Sequence, residues 1–514
     1  MKRIAALVVA GLAVVIAVVL GNRARLWNDE LGLRSPLADT PPMLADPHTP
    51  RLTDSVVLVT IDGLGIDESH LPFLDELRAR GVDAVAEVPY PTISRPNYVT
   101  ILTGVPPADS GVRANRVTIP IAIDTVLDRV QAGGMRVGTA GDAGMQPSLF
   151  ARHTKTLNGM SYRETTVPHA TQLTPIAPVT WPVDDARRAN SLAELAPVIA
   201  ELARTTAFVP VLVLDVDRNG HAHGIGPEYR QAAREVDAML RDLVSQLDLH
   251  HITLIITADH GHVAPGGHGG PEREVKHTPL ILVGAGVRAG ARIDPKTIDI
   301  APTVAALLGV PAPGHAEGRT LVDAIDLDRA QATRRLALDA LRDEVMSVSP
   351  PARPIGWRLL LAIGVAVIVI ALIYQLRRVL DLRAVVALAG TAIMFVAMAV
   401  VTRGTFSPSY VPSLARTVEL TIVGLVTAVV IQTVASLWFL RQATDRTLAA
   451  IGYAVVGLGG SLVVLAFVRA WFAMPFVAVP SPFWMVAIPT LELGVAACAI
   501  GTALTLVISS ASRR

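Results

Sequence analysis

Three acidic residues stand at or just beyond the ends of apolar runs in this chain: Asp62 in Ile61-Asp62-Gly63, Asp217 in Leu214-Asp215-Val216-Asp217, and Asp259 in Ala258-Asp259-His260-Gly261. Histidines accompany them. His221 follows Asp217 by four residues, His260 adjoins Asp259, and His268 sits in Gly266-Gly267-His268-Gly269-Gly270. Carboxylate oxygen and imidazole nitrogen, without thiolate, suit zinc, manganese or similar divalent ions. Three Asp and three His suffice for two ions about 3.5–4 Å apart, the arrangement used for in-line displacement at phosphorus. A lone Asp-Gly after a strand is usually a turn, so the joint occurrence at three strand ends is what favours a site. His223 and His262 fit supporting or surface roles better than ligation. His277, before Thr278-Pro279-Leu280, is the rival to His268.

The elements that must position these residues are legible as runs. Val56–Ile61, Val209–Leu214 and Ile252–Thr257 are near-continuous apolar stretches, separated by helix-like segments at Leu71–Arg80, Ala193–Arg204 and Tyr229–Gln246. This pattern predicts an α/β fold with a mainly parallel sheet sandwiched by helices. In such sheets ligands bind beyond the carboxyl ends of the strands, so the three carboxylates converge on one edge. The turn-rich stretch Ala151–Arg188 predicts an irregular lid over that edge.

Hydrophobic residues make up 51% of the 514 residues and charged residues 17%, too apolar for an ordinary soluble chain. Lys plus Arg (45) nearly cancels Asp plus Glu (44), so no basic excess argues for a nucleic-acid polymer as partner. The one cysteine, Cys498, excludes an intrachain disulfide and cysteine-based metal clusters. The apolar excess lies at the two ends. Ile4–Leu20 is just long enough to span a bilayer and reads as an anchor rather than a cleaved signal. Five more spans are expected near Trp357–Leu376, Ala384–Thr402, Leu420–Leu440, Leu448–Phe472 and Met485–Ile508. The expected organisation is an anchor (1–27), a Pro-rich tether (28–54), a catalytic domain (55–345), a linker (346–356) and a five-helix membrane bundle (357–514).

Placing the N-terminus in the cytoplasm puts nine Lys or Arg on the cytoplasmic side and three outside. The positive-inside rule then sets the central domain outside the cytoplasm, in a multi-pass protein of the cell (inner) membrane. Glu492, near the start of the last span, is an intramembrane carboxylate. It is either a functional group or a protonated Glu bonded to a neighbouring helix.

The motifs together resemble the alkaline phosphatase superfamily, in its type I phosphodiesterase/nucleotide pyrophosphatase branch. The residues that carry the resemblance are Thr60-Ile61-Asp62-Gly63, Pro91-Thr92-Ile93-Ser94-Arg95-Pro96-Asn97, Asp217-Arg218-Asn219-Gly220-His221, Asp259-His260-Gly261, Gly267-His268-Gly269 and the run from Asp299 to Gly309. They fall in family order between about Asp54 and Leu321. The resemblance implies one ion held by Asp217, His221 and His268, and another held by Asp62, Asp259, His260 and the nucleophile Ser94. It implies a phospho-serine intermediate, with Asn115 donating to a phosphate oxygen, although Asn115 equally suits a loop-capping role.

Two departures narrow the expectation. Ser94-x-Pro96 resembles the sulfatase signature, but that pattern needs Arg four residues on, where Tyr98 stands, so a sulfatase is disfavoured. The Ser94-Arg95-Pro96 region and the layout look similar to GPI ethanolamine-phosphate transferases, though with a shorter bundle and a bacterial-looking composition. The chain is therefore expected to be a membrane-anchored two-metal phosphodiesterase or phospho-group transferase with zinc as the first metal. Its expected partners are membrane lipids and a phosphodiester, lipid-linked or nucleotide-like. The alternative is a transporter or scaffold whose external domain binds metal without turnover. Hydrolysis and transfer share their first half-reaction, so the sequence leaves both open.

Overall fold

The computed structural model describes residues 1–32, 35–45, 47–115, 123–142, 183–189, 191–346, 355–411, 414–472 and 478–511. They form two compact units: residues 31–349, and residues 1–30 together with 350–514.

The first unit is built on a sheet of strands β1 (Ser55–Ile61), β2 (Val82–Glu87), β3 (Gly138–Asp142), β4 (Asp185–Ala189), β5 (Phe208–Val213), β6 (Ile252–Thr257) and β7 (His277–Gly284). Their order is β2-β7-β6-β1-β5-β3-β4. Strands β6, β1, β5, β3 and β4 run parallel, while β7 is antiparallel to both β6 and β2. The sheet is thus mixed, with its parallel part in the middle. Every residue of β1, β5 and β6 is buried, because helices cover both faces and strand side chains alternate between them. Val57, Val59 and Ile61 pack with Phe73, Leu77, Ile199, Val236 and Leu240 on one face. Val56 and Leu58 pack with Val99, Leu127, Val130 and Val304 on the other.

The expected lid falls partly outside the described residues, at 151–182. Within it Asp185–Ala189 forms the edge strand β4, paired to β3, and not an irregular turn. The run combines Arg187 and Arg188 with two alanines, so it lacks the β-branched content that signals a strand.

Among its described residues the second unit contains six helices long and apolar enough to cross a membrane: Lys2–Arg25, Gly356–Leu376, Leu382–Val401, Arg416–Leu440, Arg446–Trp471 and Pro482–Ala511. The last is the most enclosed. Ala6, Ala10, Ala13 and Ala17 of the first helix are buried in one cluster with Leu491, Val495 and Ala499 of the last. Small residues at that spacing let two helix backbones approach closely.

Glu492 lies ten residues beyond Pro482, about 15 Å along the helix at 1.5 Å per residue, deeper than the expected span start implied. It is fully buried and lies against two arginines. Arg469 Nη2 contacts it closely and Arg23 Nε is 3.7 Å away. Glu30 closes the ring, 2.9 Å from Arg23 and 2.8 Å from Arg469. Removing one member of a buried pair strands the other charge, at about 3 kcal/mol or more. Arg469→Leu is therefore expected to lower the melting temperature in detergent clearly, and Arg469→Leu/Glu492→Leu to recover most of the loss. Unchanged melting of the single variant would show that the ring carries no stability.

Candidate metal centre

The parallel register brings the acidic residues to one level. Thr60 of β1 pairs with Thr257 of β6, so Asp62 and Asp259 each lie two residues beyond a paired position. Gly63 turns the chain out of β1 with φ at +74°, a conformation that glycine adopts without strain. Its N–H donates to Asp259 Oδ1 at 3.2 Å, tying the two strand ends together. Beyond β5, the helix Asp215–His223 places Asp217 and His221 four residues apart on one face.

The helix Ser94–Thr103 begins with Ser94 itself. Ser94 Oγ lies 3.1 Å from His260 Nε2. His260 Nε2 is also 3.4 Å from Asp62 Oδ1 and 3.3 Å from Asp259 Oδ2, and all four side chains are buried. One turn along the helix, the Tyr98 hydroxyl donates to Asp62 Oδ2. Burial and the charge of Asp62 hold that phenol protonated, so it remains a donor.

The second cluster centres on Asp217 Oδ1, which has His262 Nε2 at 3.1 Å, His221 Nε2 at 3.5 Å and His268 Nε2 at 3.9 Å. His221 Nε2 and His268 Nε2 face each other at 3.1 Å. His268 is aimed by the Pro91-Thr92 segment. Its Nδ1 lies 2.8 Å from the Thr92 carbonyl, while Thr92 Oγ1 donates to the Gly270 carbonyl and accepts from Gly269 N–H.

Electrostatics fit a cation at both clusters. Burial first, then the charge of Asp217, pushes Asp62 and Asp259 above the ordinary carboxylate range. Burial pushes Asp217 up too, but the adjacent His262 and the neighbouring imidazoles outweigh it and hold it low. Burial lowers His260 well below its usual value and brings His268 down to about 3, so both rings are neutral at physiological pH, as ligands must be. A carbonyl can only accept, so the carbonyls of Gly261 and Thr92 fix hydrogen on Nδ1 of His260 and His268. Each Nε2 then carries a lone pair directed at other acceptors. Asp62 Oδ1, Asp217 Oδ1 and Asp259 Oδ2 are buried without a hydrogen-bond partner. A positive charge between buried acceptors clustered this way offsets the cost of their burial. The ligand atoms of Asp62, Asp259 and His260 lie within 4.8 Å of one another, as do those of Asp217, His221 and His268. The residues fit divalent metal binding through oxygen and nitrogen.

Of the remaining expected residues, Asn115 accepts from Arg95 N–H at 2.9 Å through Oδ1. That bond caps the helix beside Ser94 and leaves the amide nitrogen as the group able to donate. His277 opens β7, with its carbonyl accepting from Ile66 N–H, and belongs to none of the ligand groups among the described residues. His223 is exposed. His262, expected in a supporting or surface role, is fully buried against Asp217. Sequence reasoning passed over Tyr98 and Thr92. Tyr98 had a readable signal, its four-residue spacing from Ser94; Thr92 had none, since its role depends on the fold.

Residues 56–266 match the family model "Type I phosphodiesterase / nucleotide pyrophosphatase". The chain is 27% identical over 299 residues to the human GPI ethanolamine phosphate transferase 2 catalytic subunit, covering 54% of this chain and 28% of that protein. It is 26% identical over 318 residues to human GPI ethanolamine phosphate transferase 1, covering 52% and 32%. The chain thus spans about a third or less of the length of these relatives. Among solved structures, murine ectonucleotide pyrophosphatase/phosphodiesterase 5 in complex with AMP aligns with 50% of this chain and 96% of its own, at 15% identity and a TM-score of 0.40. Over residues 56–266 the sheet domain is thus similar to type I phosphodiesterases and nucleotide pyrophosphatases.

Proposed function

We propose that this protein is a membrane-anchored phosphodiesterase or phospho-group transferase that works through Ser94. The observation that carries the reading is the position of Ser94 Oγ, at the first residue of a helix and 3.1 Å from His260 Nε2 within the buried carboxylate cluster. In this reading Asp62, Asp259, His260 and Ser94 hold one divalent ion, and Asp217, His221 and His268 hold the other, with zinc the metal of choice. Bound there, such ions supply Lewis acidity that makes the serine alkoxide accessible and offsets charge on phosphoryl oxygens.

The residues of the chain do the rest. Ser94 Oγ attacks phosphorus; a new P–O bond forms as the bond to the leaving alcohol breaks, which yields phospho-serine. Asn115 Nδ2 donates to a non-bridging oxygen, where charge grows in the transition state. Tyr98 keeps Asp62 in place by its hydrogen bond. Attack on phospho-serine by an acceptor hydroxyl or by water then releases the product and restores Ser94.

The six membrane-capable helices and the ethanolamine phosphate transferase relatives support a lipid-linked phosphodiester as substrate. The helices support membrane segments within 1–27 and 357–514, and the excess of Lys and Arg on one side supports residues 55–345 as an extracytoplasmic catalytic domain. The full-length protein, loaded with zinc in liposomes, is expected to turn over an aryl phosphodiester. With a lipid extract it is expected to generate new phosphorus-containing products by mass spectrometry. A transporter or scaffold would give neither, and absence of both activities with bound zinc would overturn the reading.

A further inference from the structure

The loop that delivers Ser94 to one cluster also reaches the other. In the run from Gly266 to Gly270 every residue but His268 is glycine. Glycine loses more backbone freedom on ordering than any other residue, so such a turn does not hold an imidazole in place by itself. Gly269 moreover stands at a φ of +107°, which other residues rarely adopt. Thr92 fastens this turn from outside. Its Oγ1 donates to the Gly270 carbonyl at 2.8 Å and accepts from Gly269 N–H at 3.0 Å, and its own carbonyl accepts from His268 Nδ1 at 2.8 Å.

Thr92 is fully buried, and its hydroxyl both gives and receives a hydrogen bond, bracketing the two residues directly after His268. Packing alone would be served by valine, which has the same shape without the hydroxyl. The position of Thr92 is itself fixed. Asn97 Nδ2 donates to the carbonyls of Pro91 at 2.9 Å and Ile93 at 3.0 Å, on either side of Thr92. At the other end of the contact, the His268 ring stacks on His260 with centroids 3.7 Å apart and planes within 12°. Its Nε2 faces His221 Nε2 at 3.1 Å, the spacing of two donors that share an ion. A loosened glycine turn would let the ring tilt and carry Nε2 away from that position.

We propose that Thr92 is a positioning residue for the ion at Asp217, His221 and His268: its hydroxyl fixes the glycine turn so that His268 Nε2 meets that ion, without touching the ion itself. This rests on the metal-dependent reading above and adds to it a residue outside its ligand set. Groups that orient metal ligands in this way carry about ten- to a hundredfold in metal affinity. The ion at Asp62, Asp259 and His260 draws those ligands from strand ends and is little affected. Ser94 lies two residues further along the same loop, so the nucleophile at one ion and the aim of a ligand at the other share one anchor.

Zinc binding by the full-length protein in detergent, followed by titration calorimetry, tests this without activity. Thr92→Val should weaken one of the two zinc equivalents at least about tenfold and leave the other in place. Thr92→Ser keeps the hydroxyl and loses only the methyl, so it should bind zinc nearly as the unaltered protein does. In a His268→Gln background Thr92→Val should cost nothing further, because the residue acts through His268. Thr92→Ala serves the same comparisons if Thr92→Val does not fold. Equal losses in Thr92→Ser and Thr92→Val would make the methyl packing the cause and overturn the proposal. So would a cost of the same size with and without His268. Failure of the unaltered protein to bind zinc would overturn this proposal together with the metal-dependent reading, whereas zinc binding indifferent to Thr92→Val overturns this proposal alone.

Discussion

Ser94→Ala is expected to keep both metal ions and lose at least about 10³-fold in turnover, or about 4 kcal/mol of transition-state stabilisation. The separation of the two effects is the point. Asp62, Asp259 and His260 remain to hold one ion, and Asp217, His221 and His268 to hold the other, so serine contributes little to retention. The hydroxyl, by contrast, is the atom that becomes bonded to phosphorus, and alanine has no substitute for it. The loss should fall on single-turnover release of the first product from an aryl phosphodiester, and intact-mass measurement should find no phosphorylated protein. Zinc content, read by elemental analysis, should stay near that of the unaltered chain. Near-native turnover by Ser94→Ala would remove Ser94 from the mechanism, whatever the metal content.

The parts legible in the sequence are those whose signal is local. Strands β1, β5 and β6 read as strands because burial on both faces demands an unbroken apolar run, and their ends are marked by the acidic residues. Strand β7 is masked by Pro279, which suggests a turn or an edge, although it pairs on both sides. Strand β3 carries Gly138 and Gly141, and β4 carries two arginines, so neither shows strand composition. At the site the same division holds. Asp62, Asp217, His221, Asp259, His260 and His268 stand in short motifs, whereas the burial of His262 depends on Gly63 and Gly220, far off in the chain. The Thr92 hydroxyl and carbonyl act on the 268–270 loop, a contact between segments that no local pattern announces.

Asp259→Asn is expected to abolish activity and to bring a gain in stability of the metal-free protein with it. Asn keeps a carbonyl oxygen where Asp259 Oδ1 accepts from Gly63 N–H, so the junction of β1 and β6 survives. What disappears is one of three buried carboxylates. Burial and the charge of Asp217 push Asp259 above the usual range, and such a group loses stability for the fold as pH rises through its raised value. Above that range the metal-free variant should therefore melt no lower than the unaltered metal-free chain. With zinc the order should reverse, because metal stabilises the fold by RT ln(1 + [L]/Kd) and the variant lacks a charged ligand. One ion equivalent should be lost and turnover should fall by 10³-fold or more, about 4 kcal/mol. Asp217→Asn should strip the other ion by the same argument. Calorimetric melts with and without zinc, run beside elemental analysis, give every quantity needed. If Asp259→Asn binds zinc as the unaltered protein does and shows the same zinc-dependent rise in melting temperature, Asp259 is not a ligand. The buried carboxylate cluster would then need another explanation.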